Sequence, residues 1–279
     1  MNNIFFNGKI IPEDEPVLLA SNRGYRYGDG LFETMKMING IILLADYHFE
    51  RLFSALSLLK FDSPKLFTKE KLEQQILQLC KKNDCENLAR IRLSVFRGNG
   101  GLYDENKAMQ YVIECWPLNK SVNGLNENGL VIDIYPEAAK NCDKFSNLKS
   151  ANFLSYSLAA LYAKENKLND CLLLNTSGGI ADSTIANVFI IKDAVISTPG
   201  PEEGCVNGVM RRYLLEKMQN AGYMTQQRAV SVNDLNNAEE VFLTSAINGI
   251  RWVRGFRDKI YTNVTTEEIY NRFVKTIHA

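Results

Sequence analysis

Residues 89–97 alternate between a mainly apolar and a mainly polar face, and this pattern constrains the fold strongly. A period of two is typical of a strand that buries one face and leaves the other polar. The apolar face carries Ile91, Leu93 and Val95, and the other face carries Arg90, Arg92, Ser94 and Phe96. Residues 111–116 predict a neighbouring strand. Asn-Gly pairs at 7–8 and 39–40 predict hairpin turns, because both residues tolerate positive φ angles.

The spacing becomes helical in residues 46–60, where Phe49, Leu52 and Leu56 form an apolar stripe. A second helix is predicted over residues 68–82, with Thr68 as its N-cap. Strands and two helices together predict an α+β first domain, residues 1–117. Residues 118–124 are polar and turn-rich and are expected to form a linker.

Residues 125–279 predict a larger, strand-rich second domain. Its expected strands are 129–135, 171–175, 187–192, 194–198 and 240–246, and its expected helices are 151–166, 207–220 and 265–277. The full length of 279 residues is enough for two domains that each bury a core.

The composition excludes several classes of protein. Thirty-two basic and thirty-two acidic residues give no net charge, which does not favour a nucleic-acid surface. No apolar run is long enough for a membrane span, and the N-terminus does not read as a secretory signal. Six scattered cysteines predict a reduced cytoplasmic protein. With two histidines and no second cysteine pair, no metal site is expected.

Four features predict the chemistry: the amine of Lys149, the lone Arg51, the carboxylate of Asp182 and the glycine-containing helix start at 207–211. Pyridoxal phosphate needs a lysine amine for covalent attachment and proton transfer at the substrate α-carbon. It also needs a carboxylate beside its pyridine nitrogen. Its phosphate needs an arginine and backbone amides at a helix N-terminus. If Lys149 stands in the first turn of the 151–166 helix, the helix dipole would lower its pKa.

The motifs that carry these residues resemble the class IV aminotransferases, the fold-type IV pyridoxal-phosphate enzymes. They read Tyr-Gly-Asp-Gly-Leu-Phe-Glu-Thr (27–34), His-Phe-Glu-Arg-Leu (48–52), Asn-Leu-Lys-Ser-Ala-Asn-Phe (147–153) and Ala-Asp-Ser-Thr-Ile-Ala-Asn-Val-Phe (181–189). The resemblance runs from about residue 4 to about residue 255, with the motifs in the family's order. It implies a two-domain fold-type IV architecture, with a small α+β N-terminal domain and a larger C-terminal domain containing a pseudo-barrel.

The resemblance implies a role for each matching residue. Lys149 corresponds to the lysine that forms the Schiff base with pyridoxal 5'-phosphate, and Arg51 to the arginine that binds the phosphate. The remaining positions implied to bind cofactor are Asp182, Asn187, Gly208, Val209, Met210, Ser245 and Ala246, with Thr244 in the same phosphate-facing turn. Each of these residues also has an alternative interpretation without a cofactor. Arg51 could be a surface arginine at the edge of the apolar stripe, and Asp182 could be a turn aspartate that follows two glycines.

The implied substrate-binding residues are Tyr27, Phe32, Thr34, Arg90, Arg92 and Arg97. Arg92 corresponds to an arginine implicated in carboxylate binding, and Arg90 replaces a tyrosine common in the family. Two arginines on one strand face favour a substrate richer in carboxylates than leucine or valine. A solvated strand face is the alternative reading of the same pattern.

Two positions depart from the family's pattern. Asp182 stands where glutamate is usual, and its side chain is one methylene shorter. Phe153 stands where several transaminases carry tyrosine, so it packs but cannot donate a hydrogen bond.

Three functions are compatible with these residues. The first is a transaminase that passes the amino group of an α-amino acid to a keto acid. The second is an aminodeoxychorismate lyase, which forms 4-aminobenzoate and pyruvate in folate synthesis and which the Arg-Gly-Asn-Gly-Gly-Leu-Tyr stretch (97–103) resembles. The third is an inert protein that keeps the cofactor fold. The resemblance implies a homodimer with a small-molecule substrate, and no nucleic-acid or membrane partner is expected.

Overall fold

The computed structural model describes residues 2–278 and divides the chain into two compact units. The first unit comprises the described residues up to Lys120 together with Lys149–Asn152. The second comprises Ser121–Leu148 and the described residues from Phe153 onward. Both units combine strands with helices, so the predicted α+β class is confirmed.

The first unit is built on a six-stranded sheet with the order β2-β1-β6-β5-β3-β4. Its strands are β1 (Asn3–Phe6), β2 (Lys9–Pro12), β3 (Gly30–Ile38), β4 (Ile41–Ile42), β5 (Leu88–Arg97) and β6 (Met109–Pro117). Its helices are α1 (Arg23–Tyr27), α2 (Ala45–Leu58) and α3 (Lys69–Lys82). All of these strand pairs are antiparallel.

Local sequence explains these elements well. Asn7 and Gly8 both have positive φ angles, 48° and 87°, and join β1 to β2 as the hairpin prediction requires. Asn39 and Gly40 do the same between β3 and β4. Thr68 caps α3 by accepting a hydrogen bond from the backbone N–H of Lys71, which confirms the predicted helix start.

The second unit is built on a nine-stranded sheet with the order β12-β11-β10-β13-β14-β7-β8-β9, and β15 pairs with β14. Its strands are β7 (Leu130–Lys140), β8 (Asp170–Asn175), β9 (Ile180–Ser183), β10 (Asn187–Lys192), β11 (Val195–Pro199), β12 (Met224–Arg228), β13 (Glu240–Ser245), β14 (Gly249–Phe256) and β15 (Lys259–Ile260). Its helices are α4 (Leu154–Glu165), α5 (Val209–Asn220), α6 (Val232–Asn237) and α7 (Val264–Ile269), which continues as a π-helical turn, Tyr270–Val274.

The five strands predicted in this half are confirmed, but β9, β12, β14 and β15 were not predicted. In β9 the sequence is only four residues long and includes Asp182 and Ser183, so it lacks the apolar signal of a strand. The turn reading of Asp182 is therefore wrong, because this residue lies in a buried strand. Residues 118–124 contain a short 3₁₀ turn, Lys120–Asn123.

The prediction that Lys149 opens a helix is also wrong. The helix α4 begins at Leu154, five residues later, and Lys149 lies outside regular helix. The argument from the helix dipole for a lowered lysine pKa therefore does not apply.

No helix among residues 2–278 is both long enough and apolar enough to cross a membrane.

Candidate active site

Lys149 is held in the first unit by pairing with the start of β3. Its carbonyl oxygen accepts a hydrogen bond from the backbone N–H of Phe32 at 2.9 Å. Ser150 bridges to Leu31, and the N–H of Ala151 donates to the carbonyl of Gly30 at 2.9 Å. The short β4 pairs only with the far end of β3, at Met37 and Ile38, so the edge at residues 30–32 is open for this pairing.

The Phe32 ring lies beneath two cationic side chains. The Lys149 Nζ atom is 4.7 Å from the ring centroid, and the Arg92 guanidinium carbon is 3.9 Å from it. Both distances suit cation–π attraction. Thr34 pairs with Arg92 across β3 and β5, so these predicted substrate residues are neighbours in the sheet.

Glu33 follows Phe32 and forms a buried network with α2. Its carboxylate accepts hydrogen bonds from Arg51 Nε at 2.8 Å and Arg51 Nη2 at 2.5 Å. Its Oε2 atom also lies 2.7 Å from His48 Nδ1. Burial by itself would raise the pKa of Glu33, but the Arg51 charge and the His48 hydrogen bond outweigh it and lower that pKa to about 2. Glu33 is therefore ionised at neutral pH.

His48 is neutral in this network. Burial lowers its pKa, against the opposing effect of the Glu33 hydrogen bond. Because ionised Glu33 can only accept, His48 Nδ1 carries the proton and Nε2 is left as an acceptor. Among residues 2–278, this buried Nε2 atom has no hydrogen-bond partner. Glu33 and His48 were not identified from the sequence, although both stand inside the motifs given above. The available signal was Glu33, a charged residue within an apolar strand.

The remaining substrate candidates lie in the same unit. Tyr27 ends α1 and is exposed, and Gly28 follows it in the left-handed conformation, φ 64°. Arg90 is exposed, with its guanidinium 5.9 Å from the Trp116 ring. Arg97 is already engaged, because it pairs with Asp29 at 2.7 Å and donates to the Leu59 carbonyl.

A pocket of about 540 Å³ opens beside Arg92 in this unit. Its lining includes Phe32, Arg92, Ser94, Glu114 and Trp116. Burial lowers the pKa of Arg92 and raises that of Glu114, and each partly offsets the other's shift by its opposite charge. The pocket wall therefore presents a cation and an acid, together with aromatic surface.

In the second unit, the carboxylate of Asp182 is surrounded by donors. Its Oδ2 atom accepts from Lys140 Nζ at 2.9 Å, Tyr156 Oη at 3.0 Å and the backbone N–H of Val206 at 2.9 Å. Lys140 also donates to Tyr156 Oη. Burial and the neighbouring Asp182 charge raise the pKa of Tyr156, so the phenol keeps its proton.

Lys140, Tyr156 and Val206 were not identified from the sequence. Lys140 ends β7 and Asp182 lies on β9, and only the sheet order, with β8 between them, brings them together. Phe153 stacks on Tyr156 with ring centroids 4.3 Å apart. A tyrosine is therefore present near Asp182, three residues after the position where the family pattern has one.

The other predicted cofactor-binding residues of the second unit lie close to one another. Asn187 on β10 lies directly opposite Thr244 on β13, and Asn187 Nδ2 donates to the Val206 carbonyl at 2.8 Å. Gly208 caps α5 and approaches Asn187 so closely that a Cβ atom there would be 1.8 Å from its Oδ1. Val209 and Met210 form the buried first turn of α5, whose leading N–H groups have no partner within the helix. Ser245 and Ala246 follow Thr244 at the end of β13.

Two observations indicate that these residues suit a phosphorylated cofactor. The buried hydroxyl of Thr244 has no hydrogen-bond partner among residues 2–278, which is costly unless something binds it. The N-terminus of α5 begins at a glycine rather than a capping side chain, as anion-binding helices do.

Comparison with curated proteins gives relatives over nearly the whole chain. A putative branched-chain-amino-acid aminotransferase of Methanocaldococcus jannaschii is 27% identical over 95% of this chain and 92% of its own length. Aminodeoxychorismate lyase of Bacillus subtilis is 28% identical over 88% of this chain and 83% of its own. D-alanine aminotransferase of Bacillus licheniformis is 26% identical over 87% and 84%.

Solved structures share the fold. The branched-chain aminotransferase of Thermoproteus uzoniensis superimposes with a TM-score of 0.88 at 19% identity, covering 99% of this chain and 95% of that one. A PLP-bound hypothetical aminotransferase of Mycobacterium tuberculosis gives a TM-score of 0.84 at 19% identity, covering 99% of both chains. The family model for amino-transferase class IV matches residues 30–256. Since that match covers most of the chain, the protein belongs to the class IV aminotransferase family.

Proposed function

We propose that this protein is a pyridoxal-phosphate-dependent transaminase that uses Lys149 to move the amino group of an α-amino acid to a keto acid. The observation that carries the proposal is the placement of the Lys149 amine on Phe32, whose sequence neighbour Glu33 anchors Arg51. The family membership supports the same reaction.

Cofactor-binding roles are assigned to residues of each unit by itself. Lys149 provides the amine for covalent attachment, and Arg51 provides charge for the phosphate. In the second unit, Thr244, Ser245 and Ala246 and the first turn of α5 provide hydroxyl and backbone donors suited to a phosphate. Asp182 provides the carboxylate for the pyridine nitrogen, and Lys140 and Tyr156 fix its orientation. When bound, the cofactor supplies an aldehyde and an electron-withdrawing ring that stabilises negative charge at the substrate α-carbon.

Lys149 is also the group that moves a proton at that carbon. A primary amine can accept the proton and return it elsewhere, which is the general acid–base role that transamination requires. Ionised Glu33 pairs with Arg51, so a second cation is fixed in the same unit. Neutral His48 does not add a positive charge beside them.

The substrate side of the site is assigned to Phe32, Thr34 and Arg92, with the pocket beside them. Arg92 is the candidate for a substrate carboxylate, since it lies on the pocket wall and is only partly exposed. Tyr27 and Arg90 lie at exposed positions of this unit and are assigned to the rim. Arg97 is the weakest assignment, because Asp29 and the Leu59 carbonyl already take its donors.

Aminodeoxychorismate lyase activity is the second candidate. Its support is the 97–103 stretch and the relative of that name in Bacillus subtilis. Against it, Arg97 of that stretch is engaged by Asp29 and by the Leu59 carbonyl and is not among the residues that line the pocket. An inert cofactor-fold protein is the third candidate, and the buried Glu33–Arg51 and Asp182–Lys140 networks give it no support.

Two further assignments accompany the proposal. All six cysteines lie within the described residues and none forms a disulfide, which agrees with a reducing, cytoplasmic compartment. A homodimer is proposed from the family membership.

Attachment is tested by borohydride reduction of the cofactor-loaded protein, followed by peptide mass mapping. The pyridoxyl label is expected on Lys149. Lys140 is the informative alternative site for the label, because its half-buried amine contacts Asp182, a proposed cofactor residue. A label on Lys140, or no label on a folded protein, rejects the proposal. Lys144→Ala is the matched control and should keep the label at Lys149.

The reaction is tested by two parallel incubations, one with aminodeoxychorismate and one with a panel of amino acids plus 2-oxoglutarate. Exchange to glutamate without 4-aminobenzoate supports the transaminase. Formation of 4-aminobenzoate without amino-group exchange replaces it with the lyase. A loaded protein whose visible spectrum responds to neither incubation points to the inert candidate.

A further inference from the structure

Three buried thiols converge in the first unit, away from the residues assigned to the cofactor. Cys80 lies in the last turn of α3, Cys85 follows that helix, and Cys115 lies on β6. Their Sγ atoms all lie within 4.8 Å of one another, and those of Cys85 and Cys115 are 3.5 Å apart. Each residue is at most 3% exposed. The sequence did not reveal this group, because Cys115 is thirty residues from Cys85.

The backbone places these thiols without help from a ligand. The N–H of Cys85 donates to the carbonyl of Cys80 at 2.9 Å, after a left-handed residue, Asp84, with φ 51°. Asn83 ties the turn to the sheet, donating to Cys115 Sγ at 3.3 Å and accepting from the N–H of Asn3 at 3.0 Å. The cluster is therefore preorganised by a helix end and a strand, as a binding site requires.

The spacing of the sulfurs suits a single ion bound by all three. With metal–sulfur bonds of about 2.3 Å, ligand sulfurs are about 3.8 Å apart in tetrahedral geometry and about 4.0 Å apart in trigonal geometry. The Cys85–Cys115 separation of 3.5 Å is just below these values and no pair of sulfurs exceeds 4.8 Å, so closure requires movements of about 1 Å or less. Among residues 2–278, no histidine, aspartate or glutamate joins the three cysteines as a fourth ligand. A three-coordinate ion is therefore the match, rather than a four-coordinate structural zinc.

The burial of the cluster selects the charge of the bound ion, because all three sulfurs lie away from solvent. The carbonyl end of α3 further disfavours negative charge at Cys80. Three thiolates around a monovalent or divalent ion would leave net negative charge in this buried place, whereas a trivalent ion leaves none.

We propose that Cys80, Cys85 and Cys115 form a three-thiol binding site for trivalent arsenic, taken up from arsenite. Arsenous acid has three hydroxyl groups, and each exchanges for one cysteine sulfur. Three S–H bonds and three As–O bonds break, three As–S bonds form, and three water molecules leave. Arsenic stays trivalent throughout, so no oxidant or reductant takes part. Soft thiolate ligands favour this ion over the hard cations bound by carboxylates.

The test is native mass spectrometry of the full-length protein incubated with sodium arsenite. We expect one arsenic per chain, bound with loss of three protons from the protein. We expect C80S, C85S and C115S each to lose at least tenfold in affinity. The matched controls are C142S and C171S, which remove an exposed and a buried cysteine outside the cluster and should bind as the parent does.

Arsenic X-ray absorption on the same complex should show three sulfur neighbours. Circular dichroism identifies any serine variant that fails to fold. If C80S is such a variant, the single variants C85S and C115S still provide two independent measurements. Binding that survives all three cluster variants, or that is lost in C142S, overturns the proposal. So does a folded parent that takes up no arsenic, or that takes up zinc or cuprous ion more tightly than arsenite. None of these readouts depends on catalytic activity.

Discussion

Glu33 is a buried acid whose two partners have different tasks. Arg51 neutralises it, and neutral His48 only donates to it. A bidentate arginine–carboxylate pair fixes the guanidinium plane more firmly than a lysine would. The pair thus holds Arg51 in one orientation before any phosphate arrives.

The pKa of Glu33 has a measurable consequence for stability. Its value is lowered from 4.5 to about 2, so Glu33 stabilises the folded state fully above pH 4.5 and progressively less as the pH falls towards 2. The shift corresponds to about 3 kcal/mol. We expect the free energy of unfolding of the parent to exceed that of E33Q at pH 6, and this difference to shrink steadily between pH 4.5 and pH 2. Urea denaturation across that range measures it.

The exposed Glu105 provides the control for this experiment. The difference between the parent and E105Q should be close to zero and independent of pH. If the difference between the parent and E33Q is the same at pH 6 and pH 3, Glu33 is not the strongly acidic group inferred here.

Asp182 and Lys140 form a second buried ion pair, with side chains 3% and 10% exposed. Removing one partner of such a pair leaves an uncompensated charge and costs about 3–5 kcal/mol, whereas removing both costs much less. We therefore expect K140M and D182N each to destabilise the cofactor-free protein and the double variant to recover most of the loss. A double-mutant cycle from urea unfolding gives the coupling energy.

The more exposed pair of Arg257 and Asp133, 3.0 Å apart with side chains 52% and 31% exposed, is the matched control in the same unit. Its coupling energy should stay below about 1 kcal/mol, because solvent screens both charges. Equal coupling in the two cycles would mean that burial does not strengthen the Lys140–Asp182 pair.

At the level of elements, the start of α5 depends on the absence of a side chain at Gly208. A Cβ atom there would overlap Asn187 Oδ1, and Asn187 would have to give up its hydrogen bond to the Val206 carbonyl. Val206 also donates to Asp182, so the disturbance reaches the proposed pyridine partner. We expect G208A to lower stability by about 1–3 kcal/mol and to weaken cofactor binding. Thermal unfolding and fluorescence titration with pyridoxal phosphate measure the two effects.

G255A is the control for this substitution. Gly255 lies in β14 of the same unit, and the atoms nearest to an added Cβ are 3.7 Å away, at ordinary contact distance. It should bind the cofactor as the parent does. Unchanged cofactor affinity in a folded G208A would remove the helix start from the proposed phosphate site.

The elements that carry a signal in neighbouring residues were predictable from the sequence. The elements that were missed are defined by strand pairing instead. The β5 alternation, the Asn-Gly hairpins and the Thr68 cap each depend on neighbouring residues, and all are present. The short polar strand β9 depends on its pairing with β8, and the late start of α4 accompanies the pairing of residues 149–151 with the distant strand β3. For the same reason, motifs marked Lys149 and Asp182 as candidates, but Lys140 and Tyr156 became visible only in three dimensions.

At the level of the whole molecule, each unit has its own sheet and its own buried core. Four large apolar side chains within residues 18–27 of the first unit are exposed, namely Leu18, Leu19, Tyr25 and Tyr27, by 44%, 65%, 74% and 42%. We name these four residues the tyrosine patch. Groups of exposed apolar side chains can mark interaction surfaces.

We propose the tyrosine patch as the surface of the homodimer, because its four large apolar side chains are exposed in this unit. Placing charge on it should separate the subunits, since a buried unpaired carboxylate is costly. We expect L19E and Y25E to sediment as monomers at concentrations where the parent is a dimer, and to lose activity together with association. M224E is the control, because Met224 is similarly apolar and exposed (64%) but lies on β12 of the other unit. A dimeric Y25E, or a parent that sediments as a monomer, would show that this patch does not join two copies.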